Sequence, residues 1–437
     1  MIRPSPKYKN YLLAVLLSIL AFNYVDRLAL GIVLQDVKAD LHLTDTQLGF
    51  LSGIAFALFY AVMGIPIARW ADRGNRVTII SSTVVLWSAA VALCGTATTF
   101  VQLMLIRIGV AVGEAGCIPP AHSLIADNFT RAERPRAVAR YMLGLPLSLV
   151  FGYFAAGWLN EFYGWRVTFV VIGLPGLILG ALAWFTLREP RQLKAQGAPD
   201  GVASSKAAAP SSPPLRFKEV CVVLWSNTTF RHLLVCFSVW YFFAYGLLQW
   251  TPAFFIRSHG LQSGELGSWL AVIFGGGGTL AVYLGGEWAG RYAASNERLQ
   301  LIACAVAFIF FAILNVGAFL APNLYLAFAA LALGYFGGNL VQGPILATIQ
   351  TLVRPEMRAI SVAILYMFAN LIGMGLGPLA AGALSDGLRP WFGEESLRYA
   401  LVILCPGYFW AAWHLWRASR TVMRDLGAAQ VNHRDLS

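Results

Sequence analysis

Charge is scarce in this chain. Asp, Glu, Lys and Arg make up 12% of its 437 residues, 58% are hydrophobic, and the mean hydropathy is +0.64. Soluble domains carry roughly 25% charged residues, so this composition excludes an ordinary water-soluble protein. The six Cys residues show neither metal-ligand spacing nor a disulfide framework, and are read as reduced packing residues. No Gly-x-x-x-x-Gly-Lys-[Ser/Thr] loop occurs, which disfavours an ATP-driven pump. No His-Glu-x-x-His and no Gly-x-Ser-x-Gly occurs either, so the expectation is that the chain is not an enzyme. Alternating strands of about ten residues are absent, which argues against a membrane β-barrel. The first apolar stretch, Tyr11 to Leu34, is too long for a signal-peptide core and is read as a membrane helix.

What is abundant is apolar sequence in lengths of about 20 residues, each enough to cross a ~30 Å hydrocarbon core as a helix. Twelve spans are expected, near 10–35, 47–69, 77–98, 101–126, 137–160, 166–187, 230–257, 263–288, 298–320, 323–349, 358–385 and 396–417. The largest interruption, rich in Ala, Ser, Pro and Lys, separates six spans from six. The expected organisation is therefore an N-terminal six-helix bundle over 1–190, a flexible cytoplasmic linker over 191–228, and a C-terminal six-helix bundle over 229–437. The net charge of +11 has a source other than nucleic acid, since most Lys and Arg fall in the tails, the linker and alternate loops. That bias places those loops, and both termini, in the cytoplasm of a multi-pass protein of the cell (inner) membrane.

The halves repeat. Tyr141-Met142 recurs as Tyr366-Met367, and Gly109, Gly113 and Pro119 recur as Gly334, Gly338 and Pro344, at one constant offset; a second offset relates Leu48-Gly49 to Leu266-Gly267. Repeated halves are a mark of secondary transporters, with a site between them near the bilayer midplane. Intramembrane charge is not repeated. Glu114 aligns with Asn339, and Asp26 and Arg27 align with Ala244 and Tyr245. A central cavity would then be charged on one wall and aromatic on the other, which suits an amphiphile better than a sugar.

Charges at membrane depth cost ~2.5–3.5 kcal/mol each on insertion scales, so by default they mark a pathway. Asp26 and Arg27 interrupt the first span. Arg107 and Glu114 lie seven residues apart in Leu105–Asp127, nearly on one helical face. Pro119 and Pro120 should bend or break that helix. These four are the candidate substrate-binding or proton-coupling residues: the arginines for an anionic headgroup, Glu114 as proton carrier, Asp26 for proton or gate chemistry. Structural ion pairs are the alternative reading. Cavity-lining candidates are Asn23, Tyr24, Tyr245, Asn339, Gln342, Tyr366 and Asn370, each of which could instead be interhelical glue.

The loop Ala68-Arg-Trp-Ala-Asp72-Arg73-Gly74-Asn75-Arg76 resembles the Asp-Arg-x-Gly-Arg loop of the major facilitator superfamily, with Ala68 and Asn75 where that pattern has glycine. Its Asp-Arg-x-Asn-Arg form, together with Asn23-Tyr24-Val25-Asp26-Arg27 and Gly113-Glu114-Ala115, is similar to the Spinster branch. The resemblance implies an all-α membrane protein of the major facilitator fold, a monomer working by alternating access. It also implies a lysolipid or sphingoid phosphate as substrate, with a proton gradient rather than a cofactor as the drive. It places a cytoplasmic gate at Asp72, Arg73, Arg76 and Asp127, with Arg73 or Arg76 pairing to Asp127. Gly373, Gly377 and Pro378 resemble an antiporter motif, although small residues in membrane helices are more often packing sites. The expected function is a proton-coupled transporter of an amphiphilic anion, its expected partners that lipid-like substrate and membrane lipids, with no nucleic acid and no metal. The rival reading is a multidrug or small organic solute/proton antiporter on the same fold.

Overall fold

The computed structural model describes residues 5–190, 217–292, 296–354 and 357–434, and those residues are helical almost throughout. The first half opens with α1 (Pro6–Leu41), capped by Ser5, whose side chain accepts from the Tyr8 N–H, and closed by His42 in the left-handed region. It continues with α2 (Asp45–Ser52), α3 (Ile54–Arg73), α4 (Arg76–Cys94), α5 (Phe100–Glu114), α6 (Ile118–Asn128), α7 (Arg134–Met142) and α8 (Gly144–Thr186). The second half comprises α9 (Phe217–Ser226), α10 (Thr228–His259), α11 (Ser263–Leu270), α12 (Gly278–Tyr292), α13 (Glu297–Leu320), α14 (Leu324–Leu340), α15 (Gln342–Leu352), α16 (Arg358–Phe368), α17 (Gly375–Phe392), α18 (Ser396–Leu404) and α19 (Gly407–Arg434). Two π-helical stretches, Ala271–Gly277 and Ala369–Met374, interrupt it.

Ten helical stretches among the described residues are long and apolar enough to cross a membrane. Two of them are far too long for one crossing. Arg134–Thr186 has 53 residues and Ile360–Gly427 has 68, against the roughly 20 that a bilayer core needs. Each folds back at a glycine in the left-handed region, Gly164 (φ 76°) and Gly393 (φ 55°). Counting both arms of each gives the twelve spans expected.

The chain forms two compact units, Met1–Ala209 with Gly260–Ala271, and Pro210–His259 with Val272–Ser437. The segment containing α11 thus packs with the first unit. Ser263 Oγ donates to the Gly157 carbonyl at 3.1 Å, Glu161 accepts from the Gly264 N–H at 2.8 Å, and Trp158 Nε1 donates to Ser268 Oγ at 3.1 Å. Of the stretch expected to be a flexible linker, residues 191–216 lie outside the described residues, whereas Phe217–Ser226 is a helix. Its Val220 and Leu224, four apart, are buried.

The internal repeat reappears as matched breaks. Ala115-Gly116-Cys117 separates α5 from α6, and Val341 separates α14 from α15 at the equivalent place. Leu143 separates α7 from α8 where the π-helical Ala369–Met374 begins in the second half. Pro119 and Pro120 sit in the first turn of α6, where their missing N–H groups cost nothing, so the expected break is a clean restart. Glycines at crossings are packing sites. A Cβ on Gly113 would stand 2.7 Å from the Trp87 backbone nitrogen on α4, and one on Gly373 would stand 2.5 Å from Tyr241 Cβ on α10.

Candidate functional site

α1 and α5 of the first unit assemble the intramembrane charges. Neighbours on a helix point about 100° apart, so Asp26 and Arg27 address different places. Arg107 and Glu114 share a face of α5 and meet both. Arg107 Nη1 donates to Asp26 Oδ2 at 2.7 Å, and Arg27 Nε donates to Glu114 Oε2 at 2.8 Å, with Arg27 Nη2 on the same oxygen. The arginine and glutamate of α5 are therefore partners of α1 and not of each other. Two cations and two carboxylates cancel, which makes the set tolerable at membrane depth.

The two pairs differ in access and surroundings. The Arg107 and Asp26 side chains are each 1% exposed, whereas Glu114 is 0% and Arg27 16% exposed. The Arg27 guanidinium lies 4.4 Å from the Phe56 ring centre, 4.6 Å from Tyr24 and 5.1 Å from Tyr60, while Arg107 meets Phe56 at 5.3 Å. Three electron-rich faces can hold Arg27 in place when its carboxylate partner is neutralised or displaced. Phe56 and Tyr60 escaped the sequence reading: an aromatic pair four residues apart is a common pattern in a chain that is 13% aromatic.

Hydrogen-bonding capacity remains at this centre. Asn23 is fully buried, and neither its Oδ1 nor its Nδ2 has a hydrogen-bond partner; the same holds for Asp26 Oδ1, Glu114 Oε1 and Arg107 Nε. Buried polar atoms of this kind ordinarily bind water or a ligand. Asn23 and Tyr24 thus belong to the charge cluster.

A second cluster in the same unit forms around Arg76, which is fully buried. Its backbone N–H and its Nε donate to Glu189 Oε2 at 2.7 and 3.2 Å, and Nη2 pairs with Glu189 Oε1 as well. Nη2 also pairs with Asp127 Oδ2 at 2.8 Å, and Nη1 donates to the Ser123 hydroxyl at 2.8 Å. Arg76 is thus the arginine that reaches Asp127, while Arg73 is exposed and the side chain of Asp72 lies outside the described residues. Glu189 is the omission of the sequence reading; its only signal was a carboxylate beside Pro190 just past a span. Nearby, Lys9 Nζ contacts Glu133 at 2.7 Å. That bond, with the Thr130 N–H and hydroxyl, holds the Glu133 carboxyl down to about 2.

Among its described residues the second unit has no comparable ionic centre. Among the described buried charges only Asp425 lies there. Gln342 Nε2 stands between the hydroxyls of Tyr241 and Tyr366, at 3.4 and 3.5 Å, and Tyr245 packs on Tyr241 with ring centres 5.5 Å apart. Phe237 and Trp240 complete the aromatic group. Asn339, the counterpart of Glu114, donates to the Tyr335 carbonyl of its own helix at 2.9 Å. Asn370 lies half-buried in the π-helical stretch.

Comparison with known proteins accords with this geometry. The family model described as Major Facilitator Superfamily matches residues 16–378. An MFS-type efflux pump of Mycolicibacterium smegmatis is 31% identical over 97% of this chain and 96% of its own length. Protein spinster homolog 1 of Xenopus tropicalis is 28% identical over 91% of this chain and 78% of its own. A crystal structure of a bacterial homologue to the human lysosomal transporter Spinster, inward-facing and unoccupied, superposes with a TM-score of 0.85 at 29% identity, covering 97% of this chain and 99% of that one. The chain belongs to the major facilitator superfamily, as a Spinster-like multi-pass membrane transporter and not an enzyme.

Proposed function

We propose that the protein moves an amphiphilic anion, a lysolipid or a sphingoid phosphate, by proton-coupled alternating access. It would act as a monomer in the inner membrane with both termini cytoplasmic and a proton gradient as its drive. The observation that carries this reading is the contrast between the two ion pairs. Arg107–Asp26 is sealed, whereas Arg27 keeps 16% of its side chain exposed within a cage of three rings.

A phosphate headgroup and the Glu114 carboxylate compete for one guanidinium. A proton on Glu114 removes the competitor, so Arg27 can then make charge-assisted bonds to the headgroup. On this scheme proton and anion bind together, and headgroup affinity rises as pH falls. The aromatic group of the second unit, taken by itself, suits an alkyl chain better than a polyol. Arg76, Asp127 and Glu189 would serve the cytoplasmic gate, with Arg73 and Asp72.

The test is flux of a lipid panel in proteoliposomes, with and without an imposed pH gradient. Arg27→Ala is expected to abolish transport of phosphate-bearing lipids. Glu114→Gln is expected to keep downhill flux and lose its pH dependence. Wild-type rates and pH dependence in both variants would sink the assignment. The rival reading, a multidrug or small organic solute/proton antiporter, draws support from the efflux-pump relative. It would be favoured by cations outcompeting anions in the same vesicles.

A further inference from the structure

We infer that the start of α10 and the middle of α19 form a binding site for the phosphate of an anionic membrane phospholipid, separate from the transport centre. The start of α10 is locked to α19 within the second unit. Asp425 Oδ2 accepts from the Thr229 N–H at 2.9 Å and from its hydroxyl at 2.8 Å, and the Thr229 and Thr421 hydroxyls meet at 2.6 Å. One turn further into α10, and two to three turns earlier in α19, His232 and His414 face each other with their Nδ1 atoms 3.0 Å apart. Arg231 adjoins His232 on α10. Arg417 follows His414 by three residues on α19, on the same stripe.

These four groups are cationic or imidazole, and their carboxylate neighbour is already committed. Asp425 gives one oxygen to Thr229 and the other to Arg424, at 3.0 Å. Among the described residues, no ion pair to a carboxylate reaches Arg231, Arg417 or Arg420. Two guanidiniums beside a mutually bonded imidazole pair, with no carboxylate among the described residues paired to them, call for an anion.

The surroundings point to a lipid as its source. α10 is 32 residues long, about 48 Å, so its first turn extends past the ~30 Å hydrocarbon core. α19 changes there from indoles to guanidiniums. Trp410, Trp413 and Trp416 are 54%, 48% and 40% exposed, and Arg417 and Arg420 stack on Trp413 and Trp416 at 5.7 and 3.8 Å. Exposed tryptophans followed by arginines mark the headgroup level of a bilayer. The indoles would line the acyl chains, and Arg231, Arg417 and the imidazoles would hold the phosphate. The positive-inside rule assigns this leaflet to the cytoplasm, where anionic lipids meet basic pockets.

The experiment uses the full chain in a neutral detergent, titrated with phosphatidylglycerol, phosphatidylcholine or inorganic phosphate, and read by native mass spectrometry and melting temperature. Phosphatidylglycerol should bind and raise the melting temperature, and phosphatidylcholine should do neither. Arg231→Gln/Arg417→Gln should weaken that binding about 30-fold, from the strength of two basic contacts near a charged leaflet. Arg298→Gln, an exposed arginine elsewhere, should leave it unchanged. Equal binding of the two lipids, unaltered binding in the double variant, or saturation by inorganic phosphate alone would each overturn the inference. The wild-type comparison stands whatever the folding yield of the variants.

Discussion

Removing a carboxylate from each ion pair in turn should give unequal costs. Asp26→Asn leaves Arg107, 1% exposed, without a counter-charge and with one ring at 5.3 Å. Breaking a buried pair from one side costs ~3–5 kcal/mol, and a single cation–π contact recovers about 0.5–1 kcal/mol of it. Glu114→Gln leaves Arg27, which keeps 16% exposure and three rings within 5.1 Å. Those rings together offset about 2 kcal/mol, so the net cost falls to roughly 1–3 kcal/mol. The difference, about 1 kcal/mol, is a factor of roughly 5 in the unfolding equilibrium. Unfolding in mixed micelles by increasing SDS measures it, and Asp26→Asn/Arg107→Gln should regain most of the loss. A Glu114→Gln variant as damaged as Asp26→Asn would show that access and aromatic caging do not distinguish the pairs. The idea of one exchangeable pair and one fixed pair would go with it.

Glu189→Gln strips the main partner from Arg76 and should destabilise by about 3 kcal/mol, whereas Arg73→Gln on an exposed side chain should stay within about 0.5 kcal/mol, both read by SDS unfolding. Glu133 has its folded pKa, about 2, below its ordinary value of 4.5, so its contact with Lys9 contributes above that value and is lost as pH falls toward about 2. Melting temperature measured across that window should fall with acid in the wild type and fall less in Glu133→Gln. Gly113→Ala pushes a methyl to 2.7 Å from Trp87 and should cost about 1–3 kcal/mol, whereas Gly109→Ala, 3.8 Å from the nearest atom, should be tolerated. Thermal unfolding of the two purified variants decides it.

Much of this architecture was readable because membrane helices announce themselves by length and hydropathy, and because intramembrane charge is rare enough to stand out. The break at Pro119 and the closeness of Gly113 to a neighbour follow from local chemistry, whereas the family resemblance left Arg73 and Arg76 both open as the partner of Asp127. The crossing of the ion pairs does not. It depends on the rotation of α5 against α1, which a spacing of seven leaves open. Glu189 meets Arg76 across 113 residues, and no local pattern encodes that meeting. The helix Phe217–Ser226 was hidden by its setting: a short apolar run beside a Pro/Ser-rich stretch reads as linker, although Val220 and Leu224 already had helical spacing.

The repeat explains why the charges come as a set. At the positions equivalent to Asp26, Arg27, Arg107 and Glu114, the second half carries Ala244, Tyr245, Ala332 and Asn339. All four are uncharged. Losing one member of a buried pair leaves an uncompensated ion, which costs several kcal/mol, whereas exchanging both members for apolar groups is close to neutral. A duplicated bundle therefore keeps or loses these charges pair by pair, and the halves of this chain show both pairs kept and both pairs absent. Asn339 illustrates the second: its amide turns back onto the Tyr335 carbonyl of its own helix and asks nothing of a partner. Restoring one charge alone, as in Asn339→Glu, should then be as costly as breaking a pair in the first half. It should be milder when Tyr245, the equivalent of Arg27, is changed to Arg at the same time. SDS unfolding of the two single variants and the double variant tests that coupling, and simple additivity of the two substitutions would refute it.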